Sequence, residues 1–316
     1  MKYIFILIIP FIVFCDEGDI VERKIINHSE YQIDKESYCR EKTDRNELDW
    51  YEDFDQNILS NSTWNYSVSN GFRDGRDYVS GWGNGEIQYY TKPSKKNKEK
   101  NTSENLFIEN GYLKIQATNE WYAGFNYTSA RINTLNLREF TFPSIITICF
   151  KVPKGIGQWP AFWLMPNEKI MWPRGGEIDI LENRGRITNI SSSALHFGKK
   201  YNNKSTLVGE VLIPRDVNFQ DKFHSITLVW QKDHLNFYLD KDIDPYFSVD
   251  KSHPEFSKFQ YPFNREYYMI LNVAVGGKYD NYMVDDYDFC KDRNCTNKDN
   301  PDDHRFLIDW IEYKKL

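Results

Sequence analysis

The segment GGEIDILENRG carries three acids close together, Glu177, Asp179 and Glu182. On a β-strand Glu177 and Asp179, two apart, point to one face while Ile178 and Ile180 point to the other. Glu182 stands at an odd offset from Glu177, which on a regular strand sends it to the opposite face. A β-bulge around Ile180 or Leu181 brings it back, because one extra residue resets the alternation. Three acids crowded on one face repel each other, so their pKa values split and one carboxyl stays protonated beside another that is ionised. Glycoside cleavage needs such a pair. With the two Glu carboxyls about 5 to 5.5 Å apart, the retaining mechanism follows, using a nucleophile and an acid that later serves as base.

Acids are common in this chain, 46 of 316 residues, so the triple takes its meaning from its neighbours. GIGQWPAFWLMP and MWP lie upstream and ALHFG downstream, placing Trp159, Trp163, Trp172 and His196 around the acids. Aromatic faces are usual platforms for sugar rings.

The elements that must position these residues read as strands. Leu113, Ile115 and Ala117 alternate with Lys114 and Gln116, and Phe306, Ile308 and Trp310 alternate less cleanly with their neighbours. Further candidates are 147–152, 177–181, 225–230, 236–239 and 269–275, separated by Gly, Pro, Asn and Asp clusters, in a chain with 16% aromatic residues. Many short strands, without a long helical stripe or an internal repeat, predict an all-β fold, a β-sandwich of the jelly-roll type. The charged run at 92–105, KPSKKNKEKNTSEN, reads as a solvated hairpin insertion.

At the N-terminus, Lys2, the apolar run Ile4 to Phe14 and the acidic residues from Asp16 have the layout of a secretory signal. The run is shorter than the roughly 20 residues that a membrane helix needs, and no other stretch is long enough. We therefore divide the chain into a signal at 1–15, a short polar extension at 16–47 and a single domain at 48–316, and expect a secreted, extracellular protein. N-x-S/T triplets begin at Asn27, Asn61, Asn65, Asn101, Asn126, Asn189, Asn203 and Asn294, which suits that route. Loss of the signal removes Cys15 and leaves Cys39, Cys149, Cys290 and Cys295 for two disulfides. The short loop from Cys290 to Cys295 pairs most easily, leaving Cys39 with Cys149, although four cysteines allow three connectivities. No second CxxC or HxH spacing accompanies them, which argues against a metal cluster. The net charge of −6 argues against nucleic acid or an anionic membrane surface and suits a neutral partner.

GQWPAFWLMP followed by WPRGGEIDILE resembles the laminarinase branch of glycoside hydrolase family sixteen. DWYEDFD, GWGNGEIQYYT, SARINT, ALHFG, FHSITLVWQKDHLNFYLD, ILNVAVGG and IDWIEY continue the likeness in order, over roughly residues 48 to 313. The resemblance implies a concanavalin-like jelly roll whose concave sheet forms the cleft, a monomer, and an endo-acting β-1,3-glucanase with a β-glucan partner and no cofactor for catalysis. It makes Glu177 the nucleophile and Glu182 the acid/base, with Asp179 sharing a hydrogen bond with Glu177. It implies a His196 that hydrogen-bonds Glu182 or the sugar, cleft positions for Trp159 and Trp172, and a core position for Trp163. Asn84 in WGNGE and Arg131 in SARI resemble residues that hold sugar hydroxyls. One structural calcium is implied, on Asp53, Gly111 and Asp309, since oxygen donors from separate strands suit that ion. After Gly277 the run KYDNYM and the cysteine loop depart from the usual pattern. Competing readings are a β-1,3-glucan recognition protein, which retention of the acids disfavours, and a hydrolase of mixed-linkage glucan or a galactan.

Overall fold

The computed structural model describes residues 19–31, 35–93 and 104–316. The signal reading at 1–15, Asn101 and most of the charged run at 92–105 lie outside the described residues.

Period-two segments bury one side of each strand, and two sheets result that stack on those sides. The first, ten-stranded sheet runs in the order β1 (Ile20–Ile25), β15 (Asn203–Leu212), β14 (Ile190–Lys200), β13 (Glu177–Glu182), β12 (Gln158–Pro166), β19 (Tyr267–Val275), β10 (Phe125–Asn133) and β3 (Asn65–Tyr66). Two further strands, β6 (Gln88–Thr91) and β9 (Thr118–Tyr122), also pair with β10. The second sheet runs β18 (Phe247–Asp250), β17 (His234–Leu239), β16 (His224–Trp230), β11 (Ser144–Lys151), β20 (Phe306–Lys315), β8 (Tyr112–Ile115) and β7 (Leu106–Glu109), with β2 (Trp50–Glu52) on β20. A separate hairpin joins β4 (Gly71–Asp74) to β5 (Asp77–Ser80). This is the β-sandwich jelly roll that the strand pattern predicts.

The core lies between the sheets. Phe162, Leu164, Ile178, Leu195 and Phe197 descend from the first sheet, and Ile146, Ile148, Phe150, Leu228 and Phe237 rise from the second, all fully buried. Each such side chain contributes about 1.5 to 3 kcal/mol by leaving water. The uneven alternation near Phe306 has a local cause. Cys149 pairs with Trp310 and Phe150 with Ile308, so Asp309 is an extra residue in a bulge.

Residues 16–47 show no period, yet 20–25 form β1, which pairs in parallel with β15 from Ile20↔Leu207 to Ile25↔Leu212. As an outer strand with mostly exposed side chains it lacks the half-buried alternation that marks a strand in sequence. Downstream, Tyr38 is buried and its N–H donates to Phe223 O at 2.7 Å. Cys39 is bonded to Cys149 on β11, and Cys290 to Cys295.

Candidate active site

Strand β13 sits in the middle of the first sheet, and its pairing carries the bulge. On the β12 side Trp163 faces Asp179, Phe162 faces Leu181 and Ala161 faces Glu182, leaving Ile180 without a partner. On the β14 side the register moves between Asp179↔Ala194 and Glu182↔Ser192. Ile180 and Leu181 consequently both enter the core, fully buried, and Glu182 returns to the face of Glu177 and Asp179. Hydroxyls settle the displaced backbone: Ser193 Oγ donates to Ile180 O at 2.6 Å and Ser192 Oγ to Glu182 O at 3.2 Å.

The acids open into a cleft that crosses the strands rather than following them. Its main part, about 390 Å³, is lined by Trp159, Trp172, Glu177, Glu182, His196 and Tyr279, and reaches over β14 and β15. A smaller recess of about 40 Å³ continues over β12, β19 and β10, past Trp163, Asn272 and Arg131.

Two indole N–H groups hold the two glutamates. Trp172 Nε1 donates to Glu177 Oε2 at 2.7 Å, and Trp159 Nε1 donates to Glu182 Oε1 at 2.9 Å. Trp159 also stacks on Tyr279, ring centroids 4.8 Å apart, and Arg184 covers the other part of that tyrosine at 4.0 Å. Burial pushes Glu177 up to about 7, and the Asp179 charge adds to it, against the lowering influence of His196, the Trp172 N–H and Arg131. Burial likewise raises Asp179 and Glu182, the latter also through the charges of Asp179 and Glu177. Three carboxyls thus share a site in which not all can be ionised at neutral pH, and the indoles favour charge on the two glutamates.

His196 lines the cleft but does not reach Glu182. Its Nε2 lies 3.1 Å from Asp179 Oδ2 and 3.9 Å from Glu177 Oε1, while its Nδ1 meets Thr206 Oγ1 at 3.0 Å. Register explains the change, because His196 stands opposite Glu177, whereas Glu182 stands opposite Ser192. The contact of Asp179 is accordingly with His196 rather than the expected hydrogen bond to Glu177. Trp163 is also corrected: it is a cleft residue, its Nε1 donating to Asn272 Oδ1 at 2.8 Å. It shares a face with Trp159 and Ala161, while Phe162 and Leu164 take the core side.

Asn84 and Arg131 both line the cleft. Arg131 lies between the rings of Trp82, at 4.0 Å, and Trp163, at 4.7 Å. Asn84 Nδ2 donates to Glu86 Oε1 at 3.2 Å, and that buried acid also accepts from Gln88 Nε2 and Tyr90 OH. Sequence reasoning passed over Glu86, Arg184 and Tyr279. The last sits in KYDNYM, whose departure from the family pattern was the available signal.

The expected calcium ligands behave otherwise. Sheet pairing brings the ends of β2 and β8 alongside β20, so Asp53, Gly111 and Asp309 lie in one region. Asp53, however, is ion-paired with Arg45, and Asp309 faces Lys42 at 3.6 Å. An ion held there would have to displace both cations, whose side chains are 58% and 52% exposed. Among the described residues the one group of His, Cys, Asp and Glu side chains with converging ligand atoms is Glu177, Asp179 and His196, within 4.8 Å of one another.

Residues 77–220 match the family described as "XgeA-like, catalytic GH16 domain". A glucan endo-1,3-beta-glucosidase of Cryptopygus antarcticus is 33% identical over 242 residues, 73% of this chain and 81% of that protein. Glucan endo-1,3-beta-glucosidase A1 of Niallia circulans is 30% identical over 74% of this chain, which spans 34% of that longer protein. The laminarinase catalytic domain of Thermotoga maritima superposes with a TM-score of 0.69 at 31% identity, covering 85% of this chain and 98% of that domain.

Proposed function

The chain belongs to glycoside hydrolase family sixteen, and from that premise we propose that it is a secreted endo-β-1,3-glucanase, cutting internal bonds of laminarin-type glucans with retention of configuration. One observation carries this reading: the bulge in β13 puts Glu177 and Glu182 on a single cleft face, each carboxyl held by its own indole N–H.

In the first step the ionised Glu177 attacks the anomeric carbon while protonated Glu182 gives its proton to the departing glycosidic oxygen. The aglycone leaves and a glycosyl ester to Glu177 remains. In the second step Glu182, now ionised, takes a proton from water, the hydroxide oxygen attacks the anomeric carbon, and Glu177 is released. Asp179 and His196, beside Glu177 on the same cleft face, hold the neighbouring charge: the imidazole lowers the carboxyl of Glu177 while Asp179 raises it. This cycle moves protons and one glycosyl group only, and needs no cofactor.

Support for secretion comes from the two disulfides and from the exposed positions of Asn27, Asn61, Asn126, Asn203 and Asn294. Asn65 and Asn189 are poor acceptors, since their Nδ2 groups donate to Leu135 O at 2.8 Å and to Ile213 O at 3.0 Å. The test is release of reducing ends from laminarin, mixed-linkage glucan and agarose by the protein and by Glu177→Gln. Laminarin is the expected substrate. No release from it sinks the enzyme, and undiminished release by the variant sinks the assigned nucleophile.

A further inference from the structure

We propose that β1 builds a distal glucan-binding subsite onto the cleft, beyond its β15 edge, so that the N-terminal segment reads the length of the chain being cut. The inference rests on the glucanase reading. Residues paired across a sheet share a face. Val208 and Glu210 of β15 line the cleft, and their partners in register are Val21 and Arg23 of β1. Asp19, just before the strand, is itself in the cleft wall. From β13 the order β14, β15, β1 adds three strand spacings, about 14 Å at the usual separation, which leaves room for more than one sugar ring between the reacting acids and β1.

The strand is fixed to the catalytic wall. Arg23 Nε donates to Glu210 Oε2 at 2.8 Å, and Arg184 lies 3.9 Å from the same nearly inaccessible carboxylate. Arg184 covers Tyr279, which stacks on Trp159, which in turn donates to Glu182. Core burial does not account for β1, because Ile20, Val21 and Ile25 remain 40%, 36% and 63% exposed. Its chemistry fits a neutral sugar: Val21 beside Val208 offers an apolar patch to a ring face, and the Asp19 carboxylate offers an acceptor for hydroxyls.

The experiment uses Glu177→Gln, which binds without turnover, and titrates β-1,3-gluco-oligosaccharides of increasing length by calorimetry, alone and combined with Val21→Glu or with Asp19→Ala. In the parent, affinity rises again by about tenfold, or 1.4 kcal/mol, once the oligosaccharide is long enough to reach β1. Both combined variants lose that increment and keep the affinity for shorter chains; Asp19→Ala, outside the strand, covers the case in which Val21→Glu disturbs the sheet edge. Variants that follow the parent at every length, or a parent with no such increment, overturn the subsite. Binding with the increment but no cleavage by the unsubstituted protein sinks the hydrolase reading and leaves the subsite standing.

Discussion

Replacing Trp172 by Phe removes one hydrogen bond and keeps an aromatic ring in the cleft wall. The lost bond is the 2.7 Å donation from Nε1 to Glu177 Oε2, made to the ionised carboxylate and therefore favouring it. Hydrogen bonds to charged groups contribute about 1.5 to 3 kcal/mol. The Glu177 side chain keeps 17% exposure, so water replaces part of the bond and the lower end applies. That end corresponds to roughly one pKa unit. Glu177, at about 7 in the intact protein, is then pushed further up. A nucleophile must be ionised, so activity is lost on the acid side and returns as pH rises through the new value. The assay is kcat/KM on laminarin from pH 5 to 9, which reports the free enzyme. The acid limb should move up by about one unit, with a deficit of about tenfold below pH 6 that shrinks above pH 8. A deficit constant across the range refutes the reasoning and makes Trp172 a platform only.

Glu177→Gln should also be more stable at alkaline pH. A carboxyl raised from its unfolded value to about 7 holds its proton more tightly when folded, so stability falls as pH climbs through that window. The variant escapes this, gaining about 2 to 3 kcal/mol at pH 8 and little at pH 4.5 in urea unfolding; equal gains at both would point to repacking. Cys39→Ser with Cys149→Ser frees a link spanning 110 residues, for an expected loss of about 4 kcal/mol and a fall in Tm of about 10 °C by calorimetry. EDTA followed by added calcium should leave Tm unchanged, since Arg45 and Lys42 already neutralise Asp53 and Asp309; a rise of several degrees with calcium shows that the ion displaces them.

The catalytic strand was legible because its two parts disagree in parity: an odd spacing between acids with an apolar pair between them admits a bulge and little else. Trp163 was legible too, by its even spacing from Trp159, but the likeness to a core tryptophan outweighed the alternation. What stayed hidden depends on contacts between strands distant in sequence. The partner of His196 is set by which residue of β14 meets Glu177, and nothing local to ALHFG specifies that. The same holds for Tyr279, brought over Trp159 from more than a hundred residues away. Strand β1 escaped notice for a different reason, since an edge strand whose side chains stay wet carries no periodic signature.

The bulge at Ile180 and Leu181 also decides what a change of length would do to this strand. Substituting either residue alters packing, whereas removing one leaves Glu182 four positions from Glu177, an even offset that keeps all three acids on the cleft face of an unbulged strand. One in-frame deletion therefore removes the bulge without turning either glutamate away from the cleft.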